Sequence, residues 1–170
     1  MLRLKFFGAG LVAAVAAFTS SYAGAQEFSA RLSGFNELPA ILTDATGKLT
    51  LELDKNTQTA TYTLTYSGFT SAVTVAHIHF GKVHVAGTPI AFLCGGGTKP
   101  ACPPTGSVSG TIAASDILAI PAQNVTAGDF DALEDALTSN TAYANVHTKN
   151  FPAGEIRGQV RRVEREDQQD

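Results

Sequence analysis

"GKLTLELDKNTQTATYTLTYSG", residues 47–68, alternates apolar and polar side chains on both sides of a turn-forming centre at Asp54 to Asn56. In an extended chain successive side chains point to opposite faces, so a period of two buries one face of a strand and wets the other. Thr, Tyr, Val and Ile suit such a half-buried pleated surface. The stretch therefore predicts two strands joined by a polar turn.

The same pattern recurs outward from this pair in FSARLSG (28–34), TVAHIHFG (74–81), TPIAFLC (88–94), GSVSGTIA (106–113), AYANVH (142–147) and GEIRGQVRRV (154–163). Eight short strands with turn signals between them predict an all-β fold, an antiparallel Greek-key β-sandwich or barrel. One segment changes period. In TAGDFDALEDALTSN (126–140), Thr126 and Asp129 have capping-box spacing, and Phe130, Leu133 and Leu137 follow at helical intervals. This predicts one covering helix over residues 129–138, with a further helical turn at Ser115 to Leu118.

The first 25 residues read as a secretory signal peptide: Arg3 and Lys5, an apolar run, then small residues at Ala23 and Ala25. The run is broken too soon by Thr19, Ser20 and Ser21 to be a good membrane span. The expected mature chain is a single domain, residues 26–163, with a polar flexible tail at 164–170, in the periplasm or outside the cell. Removing Arg3 and Lys5 from the twelve basic residues leaves ten against fifteen acidic ones, a net charge of −5. That balance argues against nucleic acid and anionic membranes as partners. Cys94 and Cys102 flank a Gly- and Pro-rich loop, and in an exported chain they are expected to form a local disulfide.

Three of the four histidines fall within "AHIHFGKVH", residues 76–84. Alternation places His77 and His79 on one face of their strand and Ala76, Ile78 and Phe80 on the other. The same test sends Ala142, Ala144 and Val146 inward and Tyr143, Asn145 and His147 outward. It also buries Ile156 and exposes Glu155, Arg157 and Gln159. The chemically capable groups are thus expected on an outer sheet face, where an H-x-H pair is equally an ordinary solvated alternation. As ligands, His77 and His79 could converge on one ion, with His84 folding back from the loop and His147 completing the set if its strand adjoins theirs. Nitrogen donors of this kind suit copper, or alternatively zinc, better than magnesium or calcium. Ordinary imidazoles would lose the metal as pH drops through about 6.5.

The order of these segments, and above all HIHFG (77–81) and NVHTKNFPAGEIRGQV (145–160), resembles the CHRD domain, named from the repeats of chordin, over residues 28–161. The resemblance implies an immunoglobulin-like or dismutase-like sandwich. A looser similarity to copper-zinc superoxide dismutase would put copper on His77, His79, His84 and His147. It would make Arg157 an anion guide, with Lys82 and Lys149 along the same route. The chain departs from that pattern: no histidines remain for a separate zinc site, the loop histidine follows too soon, and both cysteines lie in one loop. Three readings follow: an exported metal-binding domain, a non-catalytic adhesion or protein-interaction module, and a copper dismutase-like oxidoreductase.

Overall fold

The alternation becomes a continuous antiparallel sheet in the computed structural model, which describes residues 25–104 and 106–164. The leader, apart from Ala25, and the tail beyond Glu164 lie outside the described residues. The strands are β1 (Ala25–Ser33), β2 (Thr46–Asp54), β3 (Thr59–Ser67), β4 (Val73–Phe80), β5 (Thr88–Cys94), β6 (Gly106–Ala113), β7 (Ala142–Thr148), β8 (Ile156–Gln159) and β9 (Arg161–Arg162). Their order across the sheet is β5-β4-β7-β8-β1-β2-β3-β6, with β9 on β1.

The opening stretch forms the β2–β3 pair, with Leu51 opposite Tyr62 and Leu49 opposite Leu64. β1 brings Phe28 and Ala30 alongside Leu51 and Leu49 on the other side. All six are buried in one core with Ile78, Leu93, Ile112, Val146 and Ile156. Because β1 to β8 each contribute buried residues to that core, the sheet curls into a nearly closed barrel.

The two edges, β5 and β6, are joined by side chains and by an irregular loop. Tyr62 on β3 donates its phenolic hydrogen to the Leu93 carbonyl of β5 (2.6 Å), and Tyr66 donates to the carbonyl of Pro103 (2.6 Å). Leu118 N–H donates to Ile90 O (2.9 Å), and Cys94 is disulfide-bonded to Cys102 as expected. These contacts bridge the seam from β3 to β5 and to the loop that follows it.

The helix α1 spans Phe130–Thr138 and buries Phe130, Leu133, Ala136 and Leu137. Asp129 is its N-cap, accepting from Ala132 N–H at 3.1 Å. In place of the expected capping box between Thr126 and Asp129, Asp129 is itself the N-cap and satisfies one orphan amide. The predicted turn at 115–118 is a 3-10 turn at Ala114–Asp116, and similar turns at Gly34–Asn36 and Pro121–Gln123 carried no sequence signal. The last predicted strand is divided, because Val160 turns its amide to Ala142 O (2.9 Å) before β9 crosses to β1.

Candidate metal centre

Alternation holds on β4: Ala76 and Ile78 are fully buried in the core, and His77 and His79 occupy the opposite face. The registers place Asn145 of β7 beside His77 and Tyr143 beside His79, with Arg157 of β8 beside Asn145. His147 is next along β7 on the same face. The topological condition set for His147, a strand adjoining that of His77 and His79, is met.

The expectation of a solvated face is corrected. His77, His79 and His147 are only 8%, 6% and 8% exposed, and Glu155 and Arg157 are equally enclosed. Three irregular segments fold over β4, β7 and β8. From residues 34–43, Glu37 accepts a short hydrogen bond from Asn145 Nδ2, and Thr43 donates to Glu155 (2.8 Å). From 81–87 come backbone carbonyls to Arg157 and His79, and from 149–154 the Pro152 carbonyl to His147. A face can be polar and still dry when loop backbone supplies its hydrogen bonds.

One ring nitrogen from each of His77, His79 and His147 lies within 4.8 Å of the others, a spacing compatible with one shared ion. His79 Nδ1 is 3.0 Å from Gly87 O, and His147 Nδ1 is 3.0 Å from Pro152 O. A carbonyl only accepts, so both Nδ1 atoms carry hydrogen and both Nε2 atoms present lone pairs. His77 Nδ1 stands 3.2 Å from His147 Nε2, a separation that two ligands of one ion at about 2.0–2.1 Å each can have. His79 Nε2 is buried with no hydrogen-bond partner. An orphaned lone pair beside two further imidazoles is what a metal would satisfy.

Electrostatics point the same way. Burial, reinforced by His147 and His79, pushes the His77 pKa down to about 3. Burial also lowers His79 to about 4, the Gly87 bond opposing and His147 and Arg157 assisting. His147 is lowered by burial against the opposing bond to Pro152. All three rings are neutral at pH 7, the form that ligates metal.

Aromatic walls close the cluster. Tyr143 stacks on His79 with centroids 4.6 Å apart, and Phe92 of β5 packs at 4.8 Å from His77. Gly96 makes room for Phe92, since a Cβ there would come within 2.3 Å of the ring. Arg157, expected as an anion guide, is 4% exposed. Its guanidinium carbon lies 3.4 Å from the Tyr143 centroid and its Nη2 donates to the Lys82 and Val85 carbonyls. His84 is exposed on the 81–87 loop at φ 60° and stands outside the three-histidine group. Glu155 and Arg157 make no ion pair with each other; Glu155 accepts from Thr43 and from Thr148 (2.6 Å).

Sequence reasoning missed Glu37, Phe92, Gly87 and Pro152. Glu37 sits in a loop with no periodicity, and the last two act through backbone carbonyls that any residue carries. Gly154 had a legible signal as a turn glycine. Its φ is +128°, and a Cβ would lie 2.7 Å from both Glu37 Oε1 and Asn145 Nδ2.

Fold and site together define a nearly closed antiparallel barrel with a covered three-histidine cluster on one flank. The chain belongs to the CHRD domain family, whose model matches residues 28–160. No curated protein matches it.

Proposed function

We propose that this is an exported metal-binding protein that holds a transition-metal ion, copper in preference to zinc, through His77, His79 and His147. The observation carrying the reading is the convergence of three buried neutral imidazoles, two with their tautomer fixed by backbone carbonyls. Bonds of that kind orient a ligand and raise its basicity. Three nitrogens without a carboxylate favour copper or zinc over hard cations. Export is supported by the leader pattern of residues 1–25 and by the disulfide. Because Arg157 is committed to two loop carbonyls, the proposal stops at binding and does not extend to dismutase-like turnover.

Titration of the disulfide-intact protein with Cu(II), with Zn(II) and, under anaerobic conditions, with Cu(I), followed by melting temperature, tests it. A ligand of the folded state alone raises the midpoint with concentration. The expected result is a saturable rise at one equivalent, lost in His77→Ala, His79→Ala and His147→Ala. No rise in the wild type would overturn the reading.

A second reading, a protein-interaction module, is favoured by one observation. Phe35 (71% exposed), Leu38, Leu42 (89%), Val83 and Val85 are exposed on the two loops that cover the histidine face. Both loops bond to Arg157, Asn36 donating to its carbonyl and its guanidinium donating to the Lys82 and Val85 carbonyls, so the two apolar loops flank the same residue. On this reading Phe35→Ser with Leu42→Ser abolishes capture of a partner from the native compartment and leaves metal uptake unchanged.

A further inference from the structure

The strongest unassigned property of the histidine cluster is its charge balance. Its three donors are neutral, and no carboxylate or thiolate among the described residues joins the group. The centre would therefore carry the full charge of whatever ion it holds. The two enclosed carboxyls nearby are occupied, Glu37 with Asn145 and Glu155 with Thr43 and Thr148. One positive group is close: Arg157 lies over one side of the Tyr143 ring system that stacks on His79.

We infer that this site selects a monovalent soft cation, Cu(I), over Cu(II) and Zn(II). The inference rests on the metal-binding reading above and adds the valence. Transfer of an ion into a poorly solvated site costs free energy in proportion to the square of its charge, so a divalent ion costs about four times a monovalent one. A carboxylate ligand would offset that difference, and here there is none. Repulsion from Arg157, offset in part by the nearby Glu37, also doubles for a divalent ion.

Coordination number agrees with charge. Zn(II) is almost always four-coordinate in protein sites and Cu(II) prefers tetragonal surroundings. Three nitrogens satisfy Cu(I) in a trigonal arrangement. A fourth donor from water has little room to enter, since the three histidines are only 6–8% exposed and Phe92 packs on His77 and Tyr143 on His79. Imidazole as such does not distinguish these ions; the enclosed neutral setting does.

Competition experiments on the disulfide-intact protein test this. Under anaerobic conditions Cu(I) is partitioned between the protein and bathocuproine disulfonate. Zn(II) and Cu(II) are partitioned in parallel against chelators of known affinity. Cu(I) is expected to bind at least about 100-fold more tightly than either divalent ion. For copper, a hundredfold preference raises the bound couple by about 120 mV over the free ion. Phe92→Ala, which admits water, is expected to narrow the ratio. Equal or tighter binding of a divalent ion would overturn the valence inference and leave the metal-binding proposal standing. Failure of all three ions to bind would overturn both.

Discussion

His79 commits one ring nitrogen to Gly87 O and leaves the other buried without a partner, and that asymmetry governs how the protein responds to acid. In the unfolded chain an imidazole protonates near pH 6.5, whereas in the fold His77 resists protonation down to about 3 and His79 down to about 4. Between those limits the unfolded state binds more protons, so stability falls as pH drops from about 6.5 toward 4 and gains nothing from these groups above it. Glu37, whose pKa is raised by burial, acts in the opposite sense but is one carboxyl against three imidazoles. Denaturant unfolding of the apo protein is expected to show a lower midpoint at pH 5 than at pH 7.5. Replacement of His77 and His79 by Gln is expected to reduce that pH dependence. Metal affinity of the folded protein is expected to fall less between pH 7 and pH 5 than it would for exposed imidazoles, because burial lowers the pKa of all three rings. A loss as steep as that of exposed imidazoles would place the rings in water. Residue type and period place His77, His79 and His147 on one face as candidate ligands, together with His84, which lies outside the cluster, but the pH range depends on burial, which is set by segments distant in sequence.

At the scale of elements, strands and helix were legible because each carries its own period, and the covering loops were not because they carry none. The helix makes the point. Leu133 and Leu137 lie four apart and both are fully buried. Leu133→Ala is expected to cost about 2–5 kcal/mol in unfolding free energy. Asp129→Ala, removing the cap to Ala132 N–H, is expected to cost about 1 kcal/mol. Thermal or denaturant unfolding checks both, and the order of the two costs separates core packing from capping. The loop 149–154 behaves differently, since it closes over the site only because residue 154 lacks a side chain. Gly154→Ala forces Glu37 and Asn145 apart or the loop away, and the same loop carries the Pro152 carbonyl that fixes the His147 tautomer. This substitution is expected to weaken metal binding at least ten-fold while leaving far-UV circular dichroism that of a β-protein, because β7 and its neighbours do not pass through residue 154.

For the molecule as a whole, the decisive feature is how a sheet with two free ends is made to close. The Cys94–Cys102 bond pins the loop after β5, and from β3 Tyr62 and Tyr66 reach across to Leu93 O and Pro103 O. The cysteine pair could be read from composition and compartment, but its partnership with two tyrosines could not. Alternation predicts only that Tyr62 and Tyr66 point inward, leaving open what their hydroxyls meet. Closing a short loop constrains the unfolded chain, so replacing both cysteines with serine is expected to cost about 2–3 kcal/mol. Tyr62→Phe leaves the buried Leu93 carbonyl without its side-chain donor and is expected to cost about 1–3 kcal/mol. Both changes loosen the same seam, so their effects should not add as independent sites would. The double variant, measured by denaturant unfolding beside each single variant, is expected to show a coupling of at least about 0.5 kcal/mol. Strict additivity would mean that the disulfide acts on the unfolded chain alone and that the tyrosine bond closes the barrel without its help.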